Sequence, residues 1–242
     1  LSGHQGSVAS VTFTPDGKFI LSGSDDNTAR LWNVTTGQEV AIFVPVDSAD
    51  YIVKTPDNYY TCSKRGTRGL AFRIGTNVYA FDQFDLRYNR PDIVLGRIGL
   101  APKELIESYR KAHEKRLKKM KFTEDMFNDD FHLPEIKVLT EGIPTSTTQK
   151  QFNFKVCASD SKYLLDRINV YVNDVPIYGI QGIDLRKEHT SKTNKDIGIE
   201  LSDSTNKVQV SVLNEKGVES LKETFTITYN GKSRKPDLYV VA

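Results

Sequence analysis

Apolar and polar positions alternate toward both ends of the chain and adopt helical spacing only in the middle. Val8, Val11 and Phe13 make a first apolar strand. The stretch Thr14-Pro15-Asp16-Gly17-Lys18-Phe19-Ile20-Leu21-Ser22 reappears as Thr55-Pro56-Asp57-Asn58-Tyr59-Tyr60-Thr61-Cys62-Ser63, 41 residues further on. In both copies a Pro-Asp-Gly/Asn turn joins apolar-rich runs, which is a hairpin pattern. The second copy continues through Gly69-Leu70-Ala71-Phe72-Arg73-Ile74-Gly75 and Val78-Tyr79-Ala80-Phe81, a hairpin expected to turn at Gly75-Thr76-Asn77.

Residues 102–121 read as a helix. Pro102 suits the first helical position, Glu104 and Glu107 lie near the positive end, and Lys118, Lys119 and Lys121 near the negative end. Leu105, Ile106, Tyr109, Ala112, His113, Leu117 and Met120 fall on one stripe about 140° wide, broken only by Arg116. This spacing predicts a docked strut, with Leu105, Ile106, Tyr109, Leu117 and Met120 as the interface and Lys111, Lys115, Lys118 and Lys119 in water. Beyond Leu133-Pro134 the pattern returns to short strands: 135–140, 152–158, 168–172, 183–187, 197–201, 208–213 and 223–229. Seven strands in so short a stretch predict an immunoglobulin-like β-sandwich. Cys157 has no partner cysteine there, so it would lack the antibody-type disulfide.

Composition narrows this picture. With 242 residues, one or two domains are expected, and a net charge of +2 argues against a chain that is basic throughout. The charge is concentrated: residues 101–121 carry eight Lys/Arg and three Glu, net +5, which leaves −3 for the remainder. Hydrophobic content of 38% is enough to fill cores. Two cysteines, Cys62 and Cys157, form neither a disulfide framework nor a four-ligand zinc site. The longest apolar runs, such as Leu238–Ala242, are about a quarter of a membrane span. Leu1-Ser2-Gly3-His4 is no secretory leader, and a chain that does not open on Met reads as a piece of something longer. Unpaired cysteines without a leader favour the cytoplasm.

The first repeat is more specific than a hairpin. Gly3-His4, then Ser22-Gly23-Ser24-Asp25-Asp26-Asn27-Thr28, then Leu31-Trp32-Asn33 closely resemble a WD repeat over residues 1–44, with Trp32-Asn33 where the family has Trp-Asp. The resemblance implies a four-stranded blade held by a tetrad of His4, Ser22 (or Ser24), Asp26 and Trp32. The second copy, lacking Gly-His, Ser-Gly-Ser-x-Asp and Trp, reads as a degenerate terminal blade over residues 45–90. One and a half blades cannot close a ring of about four to eight, so the rest of a propeller is expected outside this chain.

Candidate chemistry is sparse. His4, Asp26 and a serine could be pictured as a catalytic set, but their spacing is that of the blade. Cys62, aligned with Leu21, reads as a small buried hydrophobe. Cys157 falls on the strand face opposite Phe152, Phe154 and Val156, without a histidine near it in sequence. His113, His132 and His189 lack metal spacing, and Gly66, Gly69 and Gly75 fit no phosphate loop. Glu124-Asp125 with Asp129-Asp130 lacks calcium-loop spacing. No cofactor is expected. The basic helix is the sole candidate for nucleic acid or lipid, and its helical charge sorting and retained glutamates favour the strut.

Tyr51-Ile52-Val53-Lys54-Thr55-Pro56-Asp57, Phe81-Asp82-Gln83-Phe84-Asp85-Leu86-Arg87-Tyr88-Asn89-Arg90-Pro91-Asp92 and the terminal Pro236–Ala242 complete an order of parts. That order resembles bacterial proteins in which WD repeats precede a caspase-like peptidase domain. The resemblance implies a last blade plus degenerate blade over 1–100, a basic connecting helix and linker over 101–132, a sandwich over 133–232 and the start of a peptidase-like domain at 233–242. It implies a non-catalytic scaffold that binds protein partners, possible through its propeller surface, and positions or regulates a downstream peptidase of the same polypeptide. A caspase-like site needs a His and a Cys in a Gln-Ala-Cys-x-Gly type of signature, which this chain lacks, so it carries no catalytic residue. The alternative is a stand-alone adaptor. Neither reading involves a membrane or nucleic acid.

Overall fold

The computed structural model describes residues 1–69, 71–74, 76–127, 132–139 and 141–231. The chain is mostly β and divides into two units, residues 1–127 and residues 128–242. The expected peptidase-like start at 233–242 and the Asp129-Asp130 pair lie outside the described residues.

The first unit is built on one antiparallel sheet of six strands in sequence order. They are β1 (Val8–Phe13), β2 (Phe19–Ser24), β3 (Ala29–Asn33), β4 (Glu39–Pro45), β5 (Tyr51–Lys54) and β6 (Tyr60–Cys62). The second copy therefore does not open a new blade: β5 pairs with β4 from Ile42↔Lys54 to Pro45↔Tyr51. A tight turn dictates this. Val46 N–H donates to Asp50 O at 2.8 Å, and the Asp47 carboxylate accepts the N–H groups of Ala49 and Asp50 at 2.8 Å each. So short a connection returns the chain as an antiparallel neighbour and cannot carry it to another sheet.

The two copies share their turn chemistry and differ in length. Thr14 N–H donates to Phe19 O at 2.9 Å and the Thr14 hydroxyl to Asp16 at 2.7 Å. Thr55 N–H donates to Tyr59 O at 2.8 Å and the Thr55 hydroxyl to Asp57 at 2.7 Å. Gly17 (φ +68°) and Asn58 (φ +72°) supply the left-handed residue in each. The second turn is one residue shorter, and a one-residue change moves every following side chain to the other face. Val11 pairs with Ser22 in the first copy and Ile52 with Cys62 in the second, so Cys62 takes the place of Ser22 and not that of Leu21. Its thiol is half-buried.

Next come the hairpin β7 (Ala71–Ile74) and β8 (Asn77–Ala80), closed by Ile74↔Asn77, with Gly75 of the expected turn outside the described residues. Three helices follow: α1 (Asp85–Tyr88), α2 (Pro91–Ile98) and α3 (Lys103–Met120). Sequence reading overlooked α2, though Pro91 opens it and Gly99, at φ +73°, closes it with a hydrogen bond to Leu95 O. Val94 and Ile98 pack on Leu31, Ala41 and Val53, covering one face of the outer strands. On the opposite face Tyr60 is wholly buried beside Phe72, which also meets Phe84 and Tyr88.

Helix α3 begins one residue later than expected, with Pro102 as its N-cap. Its stripe is only partly covered. Leu117 and His113 are buried and Ile106 and Met120 half-buried, whereas Leu105 and Tyr109 are 42% and 40% exposed. The expectation that all five interface residues are buried is corrected for those two. A single short helix, α2, packs against α3, and it is too narrow to cover a stripe of that width.

The second unit pairs two sheets over one core. One has the order β10 (Ser146–Thr147), β17 (Glu223–Tyr229), β16 (Ser204–Asn214), β12 (Leu165–Val172), β13 (Val175–Pro176), with β14 (Ile183–Asp184) also on β12. The other has the order β15 (Lys192–Glu200), β11 (Gln151–Ser159), β9 (Glu135–Val138). Phe154, Val156, Ile197 and Ile199 from one sheet meet Ile168, Val170, Val210 and Ile227 from the other. The strand expected over 183–187 is cut short, because residues Arg186–Glu188 turn into a 3-10 helix behind the Asp184 carboxylate, which accepts Arg186 N–H at 3.0 Å. A bulge between Leu165 and Arg167 turns four successive residues inward. It buries Arg167, which donates to Asp166 and to Ile180 O at 2.9 Å.

Candidate functional site

The sequence-selected residues of the first repeat meet on one edge of the sheet. Strand pairing sets Ser22 of β2 next to Trp32 of β3 on the same face, and Gly3-His4 crosses above them. A side chain on Gly3 would lie 3.1 Å from the Trp32 ring, which is why a glycine precedes the histidine. The Trp32 indole N–H donates to Ser22 Oγ at 2.8 Å. Ser22 Oγ lies 2.8 Å from His4 Nε2, and His4 Nδ1 lies 2.9 Å from Asp26 Oδ2. Only one proton arrangement satisfies every group: the hydroxyl donates to Nε2, and Nδ1–H donates to the carboxylate. Ser24, the alternative to Ser22, instead accepts Asp26 N–H at 3.2 Å and shapes the turn.

Asp26 is locked from several sides. Its carboxylate accepts the Thr28 hydroxyl at 2.6 Å, Thr28 N–H at 3.0 Å and Gln5 N–H at 2.9 Å. The Thr28 hydroxyl foremost, then the Gln5 amide and the His4 ring, hold its pKa well below the ordinary carboxylate range, against the opposing effect of burial. The side chains of His4 and Asp26 are 7% and 10% exposed. Chemically this is a saturated chain of donors and acceptors: the Ser22 oxygen already accepts one hydrogen bond and donates another. It pins the His4 loop to β2, β3 and the turn between them.

The same β2 position in the second copy holds Cys62, and no comparable chain forms. Ser63 Oγ donates to Asp50 at 2.6 Å and accepts Tyr51 N–H at 3.1 Å, closing that end differently. Burial first, then Asp85 and Asp50, push the Cys62 thiol up, opposite to what a nucleophile requires. Cys157 is half-buried on the β11 face opposite Phe154 and Val156.

Two polar clusters were not selected from the sequence. In the first unit, Asp85 accepts the Tyr60 hydroxyl at 2.7 Å and Asn89 at 2.8 Å and pairs with Arg116 at 2.7 Å, tying α1, β6 and α3 together. Burial, then Asp85, raises the Tyr60 hydroxyl and keeps it a donor. Arg90 grips Asp92 at 2.8 and 2.9 Å and reaches Glu124 at 2.7 Å, which also meets His113 Nε2 at 3.1 Å.

In the second unit, Ser161 Oγ lies 2.9 Å from His132 Nε2, and His132 Nδ1 lies 2.8 Å from Asp160 Oδ1. This is the atom order of a nucleophilic triad, but Nδ1 makes no hydrogen bond, because Asp160 sits off its N–H axis. Asp160 is occupied instead by Lys162 N–H, Tyr163 N–H and Asn214 at 2.8–2.9 Å. The arrangement clamps a turn. Among the described residues no group of three or more His, Cys, Asp or Glu gathers to hold a metal ion, and no helix is long and apolar enough to cross a membrane.

Comparison with known proteins agrees with the N-terminal geometry. Residues 1–33 match the WD domain, G-beta repeat. The chain is similar to "Ribosome biogenesis protein ERB1" of Saccharomyces cerevisiae, 32% identical over 82 residues, covering 32% of this chain and 10% of that protein. It is also similar to "Notchless protein homolog" of Arabidopsis thaliana, 56% identical over 43 residues, covering 18% of this chain and 9% of that protein. The chain thus spans about a tenth of the length of these curated relatives. Among solved structures, the fibronectin(III)-like modules of Clostridium thermocellum CbhA align over 41% of this chain and 100% of theirs, with 10% identity and a TM-score of 0.31, too low to carry an argument.

Proposed function

We propose that this chain is a non-catalytic protein-interaction scaffold in which the WD-repeat sheet is the docking element. One observation carries the reading: the β1 end of the sheet is bare. All six residues of β1 face solvent, with Val11 and Phe13 60% and 61% exposed beside a tetrad whose members have no spare partner. Apolar side chains held on a strand mark a surface to be covered. The other face of the sheet continues past α2 as an open apolar recess of ≈ 550 Å³ lined by residues that include Ala29, Phe43, Pro45 and Val53. Further sheets of the same repeat would cover both, with residues 133–232 as an immunoglobulin-like spacer.

The finer reading is that the scaffold positions or restrains a caspase-like peptidase domain of the same polypeptide, beginning near residue 233. The order of WD repeat, basic helix and β unit supports it. The second reading, a stand-alone adaptor, draws on the similarity to the relatives named above. Val11→Lys with Phe13→Lys tests the shared premise. The pair should abolish dye binding or self-association of residues 1–242 while leaving the melting temperature in place; a collapsed melting temperature would make this face part of the core. A parent reading frame encoding a Gln-Ala-Cys-x-Gly type of signature downstream supports the peptidase reading, and a frame without one leaves the adaptor. Peptide cleavage by the chain itself that disappears with Cys62→Ser or Cys157→Ser would overturn both.

A further inference from the structure

We infer that the uncovered side of α3 is a second docking surface, built for an acidic amphipathic helix of a partner protein. At about 100° per residue, with Leu105 at zero, the covered seam of Ile106, His113, Leu117 and Met120 lies between about 60° and 120°. Leu105, Tyr109 and Ala112 lie between about −20° and 40°, outside that seam. Next, between about −40° and −140°, run Lys119, Lys115, Lys111 and Lys118. All seven of these residues are exposed; Glu104, at about −100°, interrupts the lysine row, and Arg116, at about 20° and paired with Asp85, interrupts the apolar one. Lys111 lies 3.8 Å from Glu107, while Lys115 and Lys118 have no carboxylate at ion-pair distance among the described residues.

Three features choose the occupant. The lysine row runs parallel to an apolar row along the same helix, so a ligand must present negative charge and hydrocarbon side by side over several turns. Ser108 and Ala112, small and exposed beside these rows, leave room for a second helix to approach closely. Nucleic acid fits less well: Leu105 and Tyr109 would gain nothing from a phosphate backbone. Charge sets the association rate and the apolar pair sets the residence time, the usual division at such surfaces.

This inference deepens the scaffold reading and rests on it, yet its variants share no residue with those of β1, so the two can fail separately. The probe is a fluorescein-labelled peptide of about 18 residues, Leu at helical i, i+3, i+4 and i+7 positions and Glu elsewhere, long enough to match α3. Controls are a scramble of the same composition and a U-rich RNA, all titrated into residues 1–242. The patterned peptide should bind and weaken with salt. Leu105→Ala with Tyr109→Ala, and separately Lys115→Glu with Lys118→Glu, should each weaken it about tenfold or more, the effect expected of central contacts. Both pairs are exposed, and unchanged melting temperatures would show that the fold is intact. Absence of binding, equal binding of the scramble, or RNA binding indifferent to the Leu105/Tyr109 pair would each overturn the proposal.

Discussion

At the inner end of the six-stranded sheet every residue of β1 meets solvent, while at the outer end Ile52 and Tyr60 are wholly buried. Both ends descend from the same short repeat and share a Thr-Pro-Asp turn. The outer strands are covered by α2 on one face and by the aromatic group around Phe72 on the other. The inner strands have instead a closed polar tetrad, and Val11 and Phe13 stay largely exposed among the described residues. The difference is one of cover: the copy without the signature residues has its strands packed under a helix and aromatic rings, and the copy with them does not.

The sharpest way to break this comparison is to truncate at both ends. Tyr60→Ala removes a wholly buried ring and orphans Asp85 from one of its donors, and should cost about 3–5 kcal/mol in chemical denaturation. Phe13→Ala, of the same chemical kind, should stay within about 0.5 kcal/mol. Equal losses would mean that β1 is covered in solution and that the two ends are alike.

The tetrad should respond next. Ser22→Ala removes the one atom shared by Trp32 and His4, leaving a buried indole N–H without an acceptor and Nε2 without a donor. A loss of about 1–3 kcal/mol is expected. Cys62→Ala at the equivalent outer position should cost less, because no donor chain runs through it. Denaturation midpoints of the two variants measured side by side decide whether the tetrad is the feature that separates the ends.

Much of the inner end was legible because a WD repeat writes its hydrogen bonds into fixed spacings, as His4, Ser22, Asp26 and Trp32 show. The outer end was read less well for a local reason. One residue missing from the Thr55 turn changed the face of Cys62, and a five-residue turn at 46–50 kept β5 in the same sheet. Periodicity sees neither effect. Pro91 and Gly99 did announce α2, but an eight-residue helix has too few turns to show a clear stripe. For α3 the stripe was read correctly as apolar, and its width exceeded what one neighbouring helix covers. The Ser161–His132–Asp160 clamp joins residues almost thirty positions apart with no motif between them.

A pH titration compares the helical cover with the bare edge. Burial first, then the Arg90 charge, lowers the His113 pKa from its ordinary 6.5, while Glu124 and Asp92 oppose this. The folded protein therefore binds a proton at His113 less readily than the unfolded chain. Stability from this site is present above about pH 6.5 and declines as the pH falls through that value. His113→Gln should flatten that slope in melting temperature between pH 7 and 5, whereas Phe13→Ala should leave it in place. An unchanged slope in His113→Gln would show that the α2–α3 seam is open to water.

The smallest expected effect separates the two turns. Asp16 has the exposed Lys18 at 3.5 Å, whereas Asp57 is held by the Arg97 fork, with one contact at 2.7 Å, while Arg97 also lies over the Tyr59 ring. Both Arg97 and Asp57 are nearly half exposed, so solvent screens the pair, and Arg97→Ala should cost only about 0.2–1 kcal/mol at neutral pH. Its sign with pH is the useful part. The Arg97 guanidinium lowers the Asp57 carboxyl below its ordinary 3.8, so this contribution is present above that value and is lost as the pH falls through the folded range. Arg97→Ala should therefore narrow its gap from the parent protein on acidification, and 0.5 M salt should narrow it as well. A gap that persists in acid and in salt would assign the contribution of Arg97 to its packing on Tyr59 and not to its ion pair with Asp57.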